Sequence, residues 1–169
     1  MTVTEVLKDT DALSMTITAE FDASPERVWQ LWADPRQLER WWGPPGYPAT
    51  FTKHDLSVGS RTEYYMTTPE GDTPKGYWKI VEVEPPTHLR ALDGFANDDG
   101  SDNNDMPGPG EMDIRIEDIG AGRTRMSIEN LFPDQKTMEQ LLEMGQEEGM
   151  KQALGQIDAI LAEQPVASA

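Results

Sequence analysis

Leu13, Met15, Ile17, Ala19 and Phe21 alternate with Ser14, Thr16, Thr18 and Glu20, the period of two that marks a strand with one buried face. A short helix is predicted over residues 25–32. Ser24 is a ready N-cap, Pro25 suits the first helical position, and Val28, Leu31 and Trp32 share one face. Asp34-Pro35 repeats the start signal and opens a second helical segment over 35–41. Gly43, Pro44, Pro45, Gly46 and Pro48 then prevent regular structure. Strand-like runs follow over 49–56, 61–68, 76–84 and 87–92, parted by Val58-Gly59, Pro69-Glu70-Gly71-Asp72 and Pro85-Pro86. Residues 111–117 and 123–131 alternate again and predict a hairpin. From 134 to 163, Met138, Leu141, Leu142, Met150, Leu154, Ile157, Ile160 and Leu161 stand at helical spacing, and Pro165 stops the pattern. One long amphipathic helix is predicted there. The order describes an α+β domain in which one curved antiparallel sheet of about six or seven strands grips a C-terminal helix.

The remaining segments carry less pattern. Residues 1–11 and 164–169 are predicted as tails around a single domain over 12–163. Residues 93–110, rich in Asp, Asn, Gly and Pro, predict an acidic flexible loop. Asp+Glu number 31 against 14 Lys+Arg, a net charge of −17, and no basic run offsets it. Binding to a phosphate backbone rests on Lys and Arg, so no nucleic-acid partner is expected. The start of the chain has acidic residues and no apolar core of a signal peptide, and no apolar run approaches a membrane span. A soluble, cytoplasmic protein without membrane insertion is the expectation. Cys 0 excludes disulfides, thiolate nucleophiles and Cys-ligated metals.

Several side chains are candidates for chemistry. Gly145, Gly149 and Ala153 form a stripe without bulk on the predicted long helix. Each glycine disfavours helix by about 0.8–1.0 kcal/mol relative to Ala, so either close packing on the sheet or a cavity wall must offset it. Met66, Met112, Met126, Met138, Met144 and Met150, with Tyr64, Tyr65 and Trp78, suit either an ordinary core or a pocket for an apolar ligand. Trp41-Trp42 before Gly43-Pro44-Pro45-Gly46 offers an aromatic wall or the packing of the short helices. His54 and His88 are too far apart in sequence for a metal motif, and only His54, beside Asp55, is a candidate base. Asp98, Asp99, Asp102, Asn103 and Asp105 fail the calcium-loop spacing, because Phe95 and Met106 fall where oxygen ligands are required. No metal site and no cofactor are therefore expected.

The local words of the chain resemble a known family. Phe21-Asp22-Ala23 with Pro25 and Val28-Trp29, Trp32-Ala33-Asp34-Pro35, Leu38, and Arg40-Trp41-Trp42-Gly43-Pro44 read like the amino-terminal signature of the family similar to the activator of heat-shock-protein-90 ATPase. That family lies within the START-related, polyketide-cyclase-like superfamily SRPBCC. Asp55-Leu56, Val58-Gly59, Gly76, Pro85-Pro86, Leu131-Phe132-Pro133 and Glu147-Glu148-Gly149 agree with the same resemblance. The chain departs from the pattern at Gly59-Ser60, at Met150 where a Trp is usual, and at Leu92-Asp93-Gly94 where the strand end is more apolar. The resemblance implies a helix-grip, START-like fold with a cavity between sheet and helix. It implies binding of a small apolar or amphipathic molecule, with contacts from Trp42, Tyr64, Met66, Trp78, Met112, Met126, Gly145, Gly149 and Met150. The alternatives are a cyclase-like or hydrolase-like enzyme using His54, Glu63 or Tyr64, and a co-chaperone-type interaction domain with a protein partner. Either a monomer or a homodimer is compatible with the sequence.

Overall fold

The structure, a computed structural model, describes residues 2–163. Its elements in chain order are β1 (Thr2–Asp9), β2 (Ser14–Phe21), α1 (Pro25–Ala33), α2 (Pro35–Leu38), β3 (Ala49–Lys53), β4 (Arg61–Met66), β5 (Lys75–Glu84), β6 (His88–Ala96), β7 (Gly110–Gly120), β8 (Arg123–Leu131), α3 (Gln135–Glu143), α4 (Gln146–Leu154) and α5 (Ile157–Ala162). All eight strands form one antiparallel sheet in the order β1-β2-β8-β7-β6-β5-β4-β3. Register shifts at Val3/Glu5, Phe51/Lys53, Ile80/Glu82 and Asp118/Gly120 add local twist. The α+β helix-grip architecture is that expected, with eight strands in place of six or seven.

Alternation explains how the core face is assembled. Ile17 pairs with Ile128, Ile128 with Ile114 and Ala19 with Met126, so side chains of β2, β8 and β7 continue one apolar row across the sheet. Trp32, Trp41 and Trp78 are fully buried beside this surface. Trp32 meets Trp41 edge-on at 4.8 Å and donates from Nε1 to the Met126 sulfur at 3.2 Å, fastening α1 to β8. The caps read from sequence are present. Arg27 N–H donates to the Ser24 hydroxyl at 3.2 Å, and Arg36 N–H to the Asp34 carboxylate at 3.0 Å.

Three segments differ from expectation. β1 occupies most of the predicted N-terminal tail, with Val3 and Val6 packed against the core. The shift between Val3 and Glu5 breaks the period of two, which is why no strand pattern shows there. β6 runs past Leu92 to Ala96, taking the first residues of the predicted acidic loop. Beyond it, Asn97 N–H donates to the Ser101 carbonyl at 2.7 Å, while Arg61 binds the Asp102 carboxylate at 2.8 Å and the Gly100 carbonyl at 2.7 Å. The predicted long helix is three helices. Gly145 adopts φ +91°, a left-handed conformation open to glycine at little cost, and it separates α3 from α4. A tighter turn at Gly155 and Gln156 separates α4 from α5. The predicted C-terminal tail lies outside the described residues.

Candidate functional site: a cavity between the sheet and the broken helix

A cavity of about 260 Å³ lies between the sheet and the α3–α4 segment. On the sheet side, Tyr64 and Met66 come from β4, Asp93 and Phe95 from β6, and Asn130 from β8. The helix side carries Leu141 of α3 and Met144 at its C-cap, the Gly145 break, and Gln146, Gly149 and Met150 of α4. Trp42 and Pro44, from the rigid turn after α2, and Pro107, from the β6–β7 connection, complete the wall.

The two helix glycines are explained by this geometry. A Cβ built on Gly149 would meet no heavy atom within 4 Å, and the same holds at Gly145. Close backbone packing is therefore absent at both, and Gly149 instead leaves part of the cavity open. Gly76 has the opposite role. Its Cβ would lie 2.5 Å from the Tyr64 ring, so the glycine lets that ring lie across β5. Tyr64 O–H then reaches Asp93 and donates to Oδ1 at 3.4 Å.

Asp93 is the dominant electrostatic feature. It follows Leu89 and Ala91 at intervals of two on the inward face of β6 and pairs in register with Trp78 and Gly110. Burial pushes its carboxyl up to about 7, against the smaller opposing effect of the Tyr64 hydrogen bond. The phenol of Tyr64 is raised well above its usual value, first by burial and then by the Asp93 charge. Glu111 also lines the cavity, but Arg90 donates to it at 2.9 Å. In the cavity wall Gln146 Oε1, an acceptor, is buried without a hydrogen-bond partner among the described residues, while the Trp42 indole N–H is directed at the Tyr64 hydroxyl.

The side chains proposed from sequence divide sharply. Trp42, Tyr64, Met66, Gly145, Gly149 and Met150 are brought together around the cavity. Trp78, Met112 and Met126 do not line it and are fully or almost fully buried in the core behind it. His54 is also outside the lining. Its Nε2 bonds the Trp32 carbonyl at 2.9 Å, and burial lowers its pKa. Glu63, one residue from Tyr64, points to the other face of β4 and accepts from Arg61 at 2.9 Å.

Comparison with known proteins places this architecture. The family model described as Activator of Hsp90 ATPase homolog 1-like protein matches residues 22–162. The chain belongs to that family. Two solved bacterial proteins match this family member over nearly its whole length. A protein from Arthrobacter aurescens, solved by solution NMR, is 47% identical, covering 96% of this chain and 94% of its own, with a TM-score of 0.91. Protein Ms6760 from Mycobacterium smegmatis is 43% identical, covering 97% and 99%, with a TM-score of 0.87. The AHSA1 protein of Silicibacter pomeroyi, at 23% identity, 88% and 97% coverage and a TM-score of 0.69, shares the fold. No curated protein matches. The family's fold is consistent with the SRPBCC superfamily.

Sequence reasoning missed Asp93, Phe95, Asn130 and Gln146. The first three carry a readable signal, because inward positions continue as Leu89, Ala91, Asp93, Phe95 on β6 and as Met126, Ile128, Asn130 on β8. Among the described residues, no helix is long and apolar enough to cross a membrane.

Proposed function

We propose that the protein binds a small amphipathic molecule in the cavity between the sheet and α3–α4. The observation that carries this reading is Gly149. A helix-interior glycine with no neighbour within 4 Å of its missing side chain costs helix stability and leaves space unfilled, an arrangement that serves an occupant. Met66, Met144 and Met150 in the lining adapt their shape to apolar ligands.

Gly149→Phe tests the reading. The new ring fills the cavity, so uptake of the uncharged fluorophore N-phenylnaphthylamine should fall at least about tenfold while the circular dichroism spectrum is retained. Gly149→Ala should raise unfolding stability by about 1 kcal/mol, because it adds helix propensity without a clash. Unchanged dye uptake by Gly149→Phe would remove the cavity as the binding site.

A second reading, acid–base chemistry in the same cavity, has one observation in its favour. Asp93 has a carboxyl near neutrality beside a phenol, and a general base works best when its pKa lies near the operating pH. Deuterium exchange into an apolar ketone incubated with the protein in heavy water should then depend on Asp93. Equal exchange by wild type and Asp93→Asn would dismiss it.

A further inference from the structure

We infer that the cavity selects a ligand whose apolar body carries a protonated amine, held at the Asp93 carboxylate. This rests on the binding reading above and specifies the chemical class of the occupant.

The polarity of the lining is one-sided. Among the cavity residues there is no Lys, Arg or His, whereas Asp93 and Glu111 are both acidic. Arg90 neutralises Glu111, but Asp93 has no cationic partner among the described residues and receives only the Tyr64 hydroxyl. A half-buried carboxylate facing an apolar cavity without a counter-charge is costly, and an ammonium entering the cavity would relieve that cost. A carboxylate ligand would instead meet two acids and no base.

Other features of the lining point to the same head group. Gln146 Oε1 is a buried acceptor without a partner, and an ammonium brings several N–H donors. Trp42, Tyr64, Phe95 and Phe132 place four aromatic rings in the wall, and ring faces attract cations. With a net charge of −17, the chain as a whole also draws cations toward it.

The pH behaviour follows from the groups facing Asp93. Tyr64 on β4 and Glu111 on β7 are the other ionisable groups of the lining; Leu141, Met144, Gln146, Gly149 and Met150 of the α3–α4 segment carry no charge, and the β5 partner in register is Trp78. Asp93 is therefore the group that titrates near neutrality in this cavity. Amine binding should strengthen as pH rises through about 7, with proton release from Asp93.

The experiment is a calorimetric comparison of phenylbutylamine, phenylbutanol and phenylbutyrate at about pH 8, with the amine repeated at about pH 6, on wild type and Asp93→Asn, and with N-phenylnaphthylamine uptake by wild type measured alongside. The amine should bind at least about tenfold more tightly than the alcohol, with the carboxylate weakest. Asp93→Asn should erase the preference at about pH 8 and the proton release at about pH 6, where the wild-type carboxyl still holds its proton, while retaining the circular dichroism spectrum. Equal or tighter binding of the alcohol or the carboxylate overturns the inference, as does an amine preference that survives Asp93→Asn. If the dye binds and none of the three probes does, the amine inference fails and the binding reading stands. If nothing binds, dye included, both fail.

Discussion

Asp93→Asn should make the ligand-free protein more stable at about pH 8, and the gain should vanish as the pH falls toward 4. The carboxyl is raised from 3.8 to about 7 in the fold. Between those two values the native protein holds a proton that the unfolded chain has released. Native stability from this group is thus fully present below the unfolded pKa and lost as the pH rises through the folded one. The span is worth about 4 kcal/mol as an upper bound. Water entering the cavity screens the charge, so a gain of about 2 kcal/mol at pH 8 is the expected size. Urea unfolding of wild type and variant across pH checks it, and the difference between the two curves isolates Asp93 from the other 30 acidic residues among the 31. A difference that stays flat with pH would mean that the carboxyl is hydrated as freely in the fold as in the unfolded chain.

A destabilising carboxylate is hard to find by periodicity alone, and this explains what was legible in the sequence. Strand β2 and the hairpin β7–β8 were readable because each alternates cleanly with one buried face. Their apolar positions are placed by the hydrophobic effect, a local signal. Asp93 occupies an inward position of β6 yet is charged, so the alternation reads as ended at Leu92, and the segment merges into the acidic run that follows. β1 was lost for a different reason. A bulge between Val3 and Glu5 shifts its inward residues out of phase, and only pairing with β2 over Thr2–Asp9 supplies the missing order.

The C-terminal helices show the limit of the helical period. The spacing of Met138, Leu141, Leu142, Met150 and Leu154 survives the break at Gly145, since side chains on both sides of it pack on the same core. Periodicity therefore predicts the buried face correctly and the continuity of the helix wrongly. The same break helps to leave the cavity. α3 and α4 reach the lining from either side of Gly145, and the glycine signal in the sequence marked this place while leaving its purpose open. Six of the nine residues proposed for ligand contact line the cavity. The other three, Trp78, Met112 and Met126, face the same side of the sheet but lie deeper, a distinction that depends on tertiary packing and has no trace in a period of two.

Trp78 gives the largest expected loss and separates that packing role from ligand contact. Its ring is fully buried, edge-on to Trp42 at 4.9 Å and tilted against Phe51 at 5.5 Å and Trp32 at 6.0 Å. Trp78→Ala should cost about 3–5 kcal/mol in urea unfolding, because it removes the ring's apolar burial and leaves a void among side chains fixed on three elements. Trp78 Nε1–H is buried without a hydrogen-bond partner, and such a donor already costs about 1–3 kcal/mol. Trp78→Phe discards the orphan donor while keeping an aromatic ring, so its loss should be well below that of the alanine variant. Because Trp78 supports Trp42 from behind and does not line the cavity, the phenylalanine variant should take up N-phenylnaphthylamine with an affinity within about twofold of wild type. A large loss of dye affinity in a stable Trp78→Phe protein would return this residue to the binding surface. A cost as large as that of Trp78→Ala would mean that the indole nitrogen is satisfied by water, since removing a donor without a partner cannot account for it.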